Sequence, residues 1–346
     1  MKRLLTLILL LALSTSVWSD IVTPVSRTVN WINVRAEPIA GSEIPIVAHL
    51  HKDEHATFIE TVGSYHKIRM SYGTIGFVAS SWTDVLPTPS DNIKIATFNI
   101  QSFGKTKAGK PEVMKELASV IRKYDLVAIQ EIKNKAGVVP TQFLTEINSD
   151  GSQYAFVISE RGGKEPDDQS SQEQYAYYFN TSTIKVLKDV GLYDDSVNDF
   201  FQREPYVVRF AATQGNLKFV LATIHTKPEE AVAEIKAMHD ALVWAQEQFT
   251  DEEDFIALGD FNAGCNYASP SDLSDLKITL DYNWIVPHEA DTNFSANSSC
   301  AYDRIVVTED VLEDFTNMWG VDTSVSNKKV SDHFPVWFEL KVNSDL

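Results

Sequence analysis

Residues that can bind a metal ion or move a proton recur in this sequence, mostly where apolar runs end. They are acids, amides and imidazoles, namely Asn99, Glu131, His225, Asp260, Asn262, Asp303, Asp332 and His333. Strands that end at one rim gather such side chains into a single cleft. Carboxylate and amide oxygens suit magnesium, manganese or calcium ions. A metal ion beside histidine–acid pairs fits the attack of water on a phosphodiester bond near neutral pH.

The segments that carry these residues alternate between many short strands and a few helices. Strand-forming runs include "IKIATFNI", "LVAIQE", "LKFVLATIHT", "DFIALGD" and "YDRIVVT". One predicted helix is opened by Pro111, and a longer one carries an apolar stripe at Ile235, Met238, Leu242 and Ala245. This order predicts an α+β fold, a four-layer αββα sandwich of two mostly antiparallel sheets with outer helices.

A proline-containing linker, residues 87–92, divides the chain. It separates a small segment, residues 20–86, from a large one, residues 93–346. Alternating strands and turn residues in the small segment predict an all-β barrel. Its runs "INVRAEP" and "YHKIRMSYGTIGFVASSW" resemble bacterial Src-homology-three-like domains. The resemblance implies either a cell-wall or peptide ligand for residues 20–86 or a rigid spacer with no ligand.

Residues 1–19 have the pattern of a signal peptide. Lys2 and Arg3 precede the apolar run "LLTLILLLAL", and small residues allow cleavage after Ser19. A membrane anchor is the alternative, although no stop-transfer flank follows. No later segment is apolar enough to span a bilayer. We therefore expect an exported protein, secreted or periplasmic, that is not stably inserted in a membrane, and we expect a monomer.

The 346-residue chain has a formal net charge of −18 and two cysteines. This charge argues against a passive electrostatic grip on nucleic acid, which needs Lys and Arg at the phosphates. It does not exclude a nucleic-acid enzyme, because acids gathered around a divalent metal reverse the local charge. In an exported protein Cys265 and Cys300 usually pair, and two free buried thiols are the alternative.

Six motifs of the large segment, taken in order, resemble the endonuclease/exonuclease/phosphatase superfamily. They are "IATFNIQSFG", "YDLVAIQEI", "REPYVVRF", "GDFNAGCNY", "CAYDRIVV" and "SDHFPV". Within the superfamily, "AVAEI" and "CAYDRIVV" are most similar to secreted deoxyribonuclease I. The likeness extends from about residue 93 to the C-terminus. It implies a metal-dependent endodeoxyribonuclease with DNA as its substrate.

The resemblance also implies which residues hold metal. Glu131 is similar to the principal ligand, with Asn99 beside it and Asp332 helping to hold the site. The expected ion is Mg²⁺, with Mn²⁺ as the alternative. A polar loop resembles a calcium-binding loop of the family, which implies a second ion, a structural or activating Ca²⁺. A polar loop without an ion is the alternative. The candidate ligands are Asp291, Asn293, Ser295 and Asn297.

Two acid–base pairs are implied in the same way. His333 resembles the catalytic base, and Asp303 fixes its tautomer. His225 resembles a general acid or phosphate clamp, and Glu173 falls where the family places the acid that orients it. A solvated strand-edge acid is the alternative for Glu173. Arg203 lies in a motif that the family uses near the nucleic-acid backbone, with a surface ion pair as the alternative.

Asp260 and Asn262 are expected to contact the scissile phosphate or a second metal. Cys265 and Cys300 occupy the positions of the family's stabilising disulfide, which would brace the loops that carry Asn262 and Asp303.

Several positions depart from the family pattern. Gln101 and Lys133 stand where the mammalian enzyme has arginines, and a tyrosine that stacks in the minor groove is replaced near Ser171. The segment "YDDSVNDFF" lacks the family's short second disulfide. The departures concern duplex grip and cutting preference, so single-stranded DNA and RNA are alternative substrates.

Three other functions are compatible with parts of the sequence. A phosphodiesterase that acts on phospholipid, such as a sphingomyelinase, needs an exposed aromatic hairpin that is not evident here. A wall-binding protein with a decayed catalytic domain conflicts with the intact acids and imidazoles. Abasic-site repair conflicts with the export signal and the paired cysteines.

Overall fold

The computed structural model describes residues 21–52, 54, 56–70, 73–86, 92–164, 171–295 and 297–343. The chain divides into two compact units, Met1–Ser90 and Asp91–Leu346. The signal peptide and all but the last residue of the linker lie outside the described residues, so both stay predictions. Within the described ranges, no helix has the length and apolar character needed to cross a membrane.

The smaller unit is one antiparallel sheet. Its strands are β1 (Ile21–Pro24), β2 (Trp31–Arg35), β3 (Ile46–His51), β4 (Ala56–Val62), β5 (Tyr65–Arg69), β6 (Ile75–Ala79) and β7 (Thr83–Leu86). They pair in the order β3-β2-β6-β5-β4-β1-β7. The all-β prediction is confirmed, but the predicted barrel is not closed: β3 and β7 stand at opposite edges and do not pair within the described residues.

Within its described residues, the larger unit contains twelve strands. They are β8 (Asn92–Phe103), β9 (Leu126–Ile132), β10 (Tyr154–Ile158), β11 (Gln174–Asn180), β12 (Ile184–Leu192), β13 (Tyr206–Ala212), β14 (Lys218–His225), β15 (Phe255–Asp260), β16 (Asn283–Trp284), β17 (Asp303–Val307), β18 (Phe315–Val321) and β19 (Val336–Lys341). The first sheet has the order β10-β11-β9-β8-β19-β18, and the second has the order β12-β13-β14-β15-β17-β16. Each sheet contains one parallel pair, β8 with β9 and β14 with β15, and its other pairs are antiparallel.

Helices pack against the two sheets. They are α1 (Lys105–Ala108), α2 (Pro111–Ile121), α3 (Val138–Ile147), α4 (Ala231–Gln248), α5 (Pro270–Leu273), α6 (Lys277–Asp281) and α7 (Val311–Asp314). Helices α1 to α6 pack on the outer faces of the two sheets, whereas the short α7 packs against the inner core through Val311. Pro111 is the first residue of α2, where its missing N–H costs no helical hydrogen bond. The predicted stripe of α4 is buried against the second sheet. The predicted αββα sandwich is confirmed.

The inner faces of the two sheets change character along the strands. Inward positions are apolar at one end, for example Ile95 in β8 and Leu221 in β14. One step further along, Gln130 donates hydrogen bonds to the hydroxyls of Thr97 and Thr223, at 3.0 and 2.8 Å, and so joins the two sheets. The next inward positions of β8 and β14 carry Asn99 and His225, because side chains on one face repeat every second residue.

Glu234 of α4 is a fully buried carboxylate. Its Oε1 accepts hydrogen bonds from the backbone N–H groups of Gln202 and Lys227, at 3.3 and 3.2 Å. Its Oε2 has no hydrogen-bond partner among the described residues. Burial therefore raises the pKa of Glu234 to about 7.

This carboxylate makes stability fall as pH rises. The folded-state pKa of about 7 lies above the ordinary value of 4.5, so the contribution is complete below the ordinary value and is lost as pH rises through 7. The loss is at most about 3 kcal/mol, at about 1.4 kcal/mol per pKa unit. We expect Glu234→Gln to lose less free energy of unfolding than the wild type between about pH 5 and about pH 8, measured by urea denaturation. Equal losses in the two proteins would contradict this role.

Candidate active site

Three polar side chains meet at one carboxylate oxygen, Oδ2 of Asp260. Asn99 donates a hydrogen bond to it from Nδ2 at 3.0 Å. The Nε2 atoms of His225 and His333 lie 3.6 and 3.5 Å from the same oxygen. Asp260 is only 2% exposed. Residues far apart in the sequence therefore converge on one buried carboxylate.

Strand register brings these side chains to one level. His225 lies opposite Asp260 in the parallel β14–β15 pair, and Asp260 lies opposite Asp303 in the antiparallel β15–β17 pair. Gly259 has a φ of +150°, and a Cβ at this position would lie 2.0 Å from the carbonyl oxygen of Ile224. Only glycine lets β14 and β15 approach this closely beside the site.

The first histidine–acid pair is His225 with Glu173. His225 Nδ1 lies 2.8 Å from Glu173 Oε2, and it donates, because a carboxylate can only accept. Arg203 and Lys133 also contact Glu173, at 3.3 and 3.2 Å. Burial opposes ionisation of Glu173, but the imidazole of His225 and these two cations outweigh it and lower its pKa to about 2. Burial likewise opposes the His225 cation, and Glu173 outweighs it, so the pKa of His225 is raised.

Arg203 lies behind this pair and is 7% exposed. Its guanidinium donates to the carbonyl oxygen of His225 at 3.0 and 3.1 Å and to that of Thr226 at 3.2 Å. Tyr175 adds a phenol oxygen that accepts from the backbone N–H of His225 at 3.0 Å. These contacts fix the end of β14, and contact of Arg203 with a substrate stays a prediction.

The second pair is His333 with Asp303. His333 Nδ1 lies 2.8 Å from Asp303 Oδ2. Burial opposes the His333 cation, but Asp303 and Asp260 outweigh it and raise the pKa of His333 to about 10. Burial raises the pKa of Asp303, and the neighbouring imidazole opposes that rise. Asp303 and Asp260 therefore favour the protonated form of His333.

Ligand atoms of Asp260, Asp303 and His333 lie within 4.8 Å of one another, close enough to surround a metal ion. Both ring nitrogens of His333 already face carboxylates, however, one at 2.8 Å and one at 3.5 Å. These carboxylates raise the pKa of His333 and so favour the protonated ring, which has no lone pair to offer a metal ion. The geometry does not favour a metal at this group.

Glu131 stands at an irregular point of the first sheet. The β8–β9 register shifts between Asn99 and Phe103, and Gln101, Ser102 and Glu131 have φ values of 46°, 50° and 62°. As a result the alternation of inward and outward side chains in β9 shifts by one residue. Ile132, rather than Glu131, packs into the apolar cluster on the outer face of the first sheet. The backbone N–H of Ser102 donates to Glu131 Oε2 at 2.7 Å, which holds the carboxylate in this position.

One carboxylate oxygen of Asp332 is buried without a hydrogen-bond partner in the described part of the chain. Gln101 Nε2 donates to its Oδ2 at 2.6 Å, whereas its buried Oδ1 has no hydrogen-bond partner among the described residues. Lys107 lies close to Asp332 and Glu131: burial lowers the Lys107 pKa to about 8, although the two carboxylates oppose this. Hard carboxylate oxygens with an unpaired buried atom fit a divalent cation.

The comparisons with known proteins agree with this geometry. A family model described as the endonuclease/exonuclease/phosphatase family matches residues 96–333. The chain belongs to this family. Deoxyribonuclease-1 of Ovis aries is 33% identical over 263 residues, which cover 70% of this chain and 98% of the relative. Deoxyribonuclease-1 of Homo sapiens is 32% identical over 269 residues, which cover 72% and 93%.

Solved structures of the endonuclease/exonuclease/phosphatase family share the fold. One from Bacteroides vulgatus has a TM-score of 0.52 at 16% identity and covers 73% of this chain and 99% of its own. Membership of the family supports a nuclease or phosphodiesterase fold and a hydrolase that acts on phosphodiester bonds.

Two departures from the family pattern lie inside the site. Gln101 bridges the site, because its backbone N–H donates to Asn99 Oδ1 at 2.8 Å while its side chain binds Asp332. Lys133 Nζ lies 3.6 Å from Glu131 and 3.2 Å from Glu173.

Lys107, which the sequence did not single out, donates to the carbonyl oxygens of Ile100 and Val330 at 2.6 and 2.9 Å. No residue pattern around Lys107 distinguishes it from a surface lysine.

The predicted calcium loop runs beside His333. Asn293 forms an isolated bridge with His333 and is buried, and neither amide atom of its side chain has a hydrogen-bond partner within the described residues. Asp291 is exposed, and Ser295 accepts from the backbone N–H of Asn297 at 3.3 Å. Binding of Ca²⁺ by this loop stays a prediction.

A disulfide joins Cys265 to Cys300, with their Cα atoms 5.5 Å apart. It connects the loop after β15 to the segment before β17. Asn262, at the start of that loop, has a φ of 48° and donates from Nδ2 to the Thr226 carbonyl oxygen at 3.0 Å. The bridge therefore braces the two loops that flank Asp260.

Removal of the disulfide is expected to destabilise the larger unit. The bridge closes a loop with a sequence separation of 35, so the loop-entropy model gives about 3–4 kcal/mol. We expect the Cys265→Ser, Cys300→Ser double variant, and the wild type with reductant, to melt at lower temperature in calorimetry. An unchanged melting temperature on reduction would show that the bridge adds no stability.

Proposed function

We propose that the protein is an exported, metal-dependent endodeoxyribonuclease that hydrolyses phosphodiester bonds of DNA. The observation that supports this most directly is the convergence of His225 and His333 on Asp260 Oδ2, at 3.6 and 3.5 Å. Each imidazole is backed by its own carboxylate at 2.8 Å. Two oriented imidazoles on one pocket suit a reaction that must take up one proton and deliver another.

His333 acts as the general base in this proposal. Asp303 holds Nδ1–H, so Nε2 is the nitrogen that accepts a proton from the attacking water. Only the neutral ring can accept, and Asp303 with Asp260 favours the charged ring. A divalent cation held by Glu131, Asn99 and Asp332 would supply positive charge that stabilises the phosphoryl oxygens and opposes protonation of His333.

His225 acts as the general acid or phosphate clamp. Glu173 stabilises its protonated form, which is the form that can donate to the departing oxygen. Asp260 lies between the two imidazoles and would contact the phosphate that is cut or a second metal ion, while Asn99 donates a hydrogen bond that holds it in place. Asn262 donates to the Thr226 carbonyl and would stiffen the same rim.

Glu131, Asn99 and Asp332 would hold the cation, with Mg²⁺ or Mn²⁺ as the expected ion. The unpaired Oδ1 of Asp332 supports this assignment. The relatives named deoxyribonuclease-1 support DNA as the substrate. Export, a monomeric state and a cell-wall or peptide ligand for residues 20–86 remain predictions.

The first test is plasmid nicking by the mature protein. We expect nicking in magnesium, none with chelator, and a loss of rate of about 10²–10⁴-fold in His333→Ala, because a positioned base contributes that much. His239→Ala is the matched control: His239 pairs with Asp240 and Asp281, at 3.3 and 3.2 Å, outside the pocket. Nicking that survives both the chelator and His333→Ala would reject the proposal. Release of phosphocholine from sphingomyelin instead would favour a phospholipid substrate.

Glu173→Gln tests the His225 pair separately. The variant keeps the size of the side chain but removes the charge that stabilises the His225 cation. We expect the turnover rate on plasmid DNA to fall by at least about tenfold, with circular dichroism unchanged, since general-acid catalysis contributes about 10²-fold or more. Glu160→Gln, an exposed acid near the same strand, is the control. A rate equal to the wild type would mean that Glu173 does not orient His225.

A further inference from the structure

The smaller unit carries a groove of about 580 Å³, and none of its lining residues belongs to the proposed active site. Its lining includes the aromatic residues Trp31, Tyr65 and Trp82 and the cationic residues Arg27 and Arg35. No carboxylate lines it within the described part of the chain. The groove therefore combines aromatic surface with positive charge.

The side chains of Trp31 and Trp82 are unusually exposed, because tryptophan is largely buried in most folded proteins. Trp31 is 48% exposed and Trp82 is 44% exposed, whereas the core of this unit is built from aliphatic residues such as Val34 and Leu50. Trp82 also has the Arg27 guanidinium 4.8 Å from its ring centroid. Exposed aromatic rings beside guanidinium groups are the surfaces on which unpaired nucleic-acid bases stack.

The arginines are oriented by the backbone. Arg35 Nη1 donates to the Gly41 carbonyl at 2.7 Å, and Arg27 Nη2 donates to the Ser81 carbonyl. Each guanidinium has five N–H donors, so these contacts leave others for a ligand. An anionic ligand that also has planar aromatic rings complements such a groove better than a cation or a purely apolar ligand does.

The charge distribution of the chain makes the smaller unit less repulsive to a nucleic acid than the larger unit. Residues 21–90 contain five Lys and Arg against six Asp and Glu, a net charge of −1, whereas residues 91–346 contain 23 against 41, a net charge of −18. The larger unit therefore repels a polyanion at long range. A separate binding surface on the same chain would retain a strand near the catalytic unit at a raised local concentration.

We propose that this groove binds single-stranded DNA, with bases stacked on Trp31 and Trp82 and phosphates paired with Arg27 and Arg35. The choice of DNA as the occupant rests on the proposed function. A peptide ligand, expected from the resemblance of residues 20–86 to Src-homology-three-like domains, is the alternative occupant that the test must separate.

The test measures binding of a fluorescein-labelled oligothymidine of about 20 nucleotides by anisotropy, a length that exceeds the span of one small binding domain. Full-length mature protein is used in chelator, both as wild type and with His333→Ala, so that no cleavage occurs. We expect Trp31→Ala and Trp82→Ala each to raise Kd about tenfold, from the loss of one stacked base, with the salt dependence unchanged. Arg27→Ala and Arg35→Ala are each expected to reduce the slope of log Kd against log salt by about 0.7.

Controls come from the same unit. Ile59→Ala removes a side chain that is 38% exposed, and Arg69→Ala removes an exposed cation; neither residue lines the groove. Both are expected to bind as the wild type does. Trp82→Phe, which keeps a ring, is expected to retain most of the affinity, so a folding defect in Trp82→Ala would not decide the result.

Equal binding by the groove variants and the controls would overturn the inference, as would a wall peptide or proline-rich peptide that binds the groove while the oligothymidine does not. Plasmid nicking distinguishes this outcome from failure of the proposed function. Nicking without groove-dependent binding rejects the groove alone, and groove-dependent binding without nicking rejects the nuclease alone.

Discussion

The buried carboxylate of Asp260 is the group on which the rest of the site depends. Burial raises the free energy of its charged form, yet His333, His225 and Asn99 compensate and keep its pKa low. The loss of one partner from such a buried set leaves an uncompensated charge, which costs about 3–5 kcal/mol. The two imidazoles stabilise the charged form of Asp260, and Asp260 in turn stabilises their protonated forms. The positions of these three side chains therefore depend on one another.

Two packed sheets can carry this set because the polar side chains extend a rigid apolar core. The same strands that bury Ile95 and Leu221 deliver the site one layer beyond the Thr97–Gln130–Thr223 bridge. The bridge satisfies its own polar atoms across the sheets, so it costs little and fixes their spacing. Side chains on well-packed strands have few alternative rotamers, which holds His225, Asp260 and Asp303 in position. His333 lies in the segment before β19 and is oriented by its contact with Asp303.

The sequence predicted the sandwich and the strand ends well because period and strand length are local properties. Consecutive apolar runs that end in Asp260 or His225 specify both the strand and its polar tip. The slip at Glu131 could not be predicted, since positive φ values at non-glycine residues arise from tertiary contacts such as the Ser102–Glu131 hydrogen bond. Lys107 was missed because its place in the site also depends on tertiary contacts, such as its hydrogen bond to the Ile100 carbonyl oxygen. The open edges of the smaller sheet were not predicted because the alternation of apolar and polar residues does not specify which strands pair.

The balance of charge gives a physical reason for a divalent cation in the proposed function. The pocket and its border hold five carboxylates and five groups that can be cationic, namely Glu131, Glu173, Asp260, Asp303, Asp332, Lys107, Lys133, Arg203, His225 and His333. The set is neutral only while both imidazoles are protonated. A base at His333 leaves one excess negative charge, and a phosphodiester adds another. Two buried negative charges are costly, and a divalent cation held by Glu131, Asn99 and Asp332 would offset both.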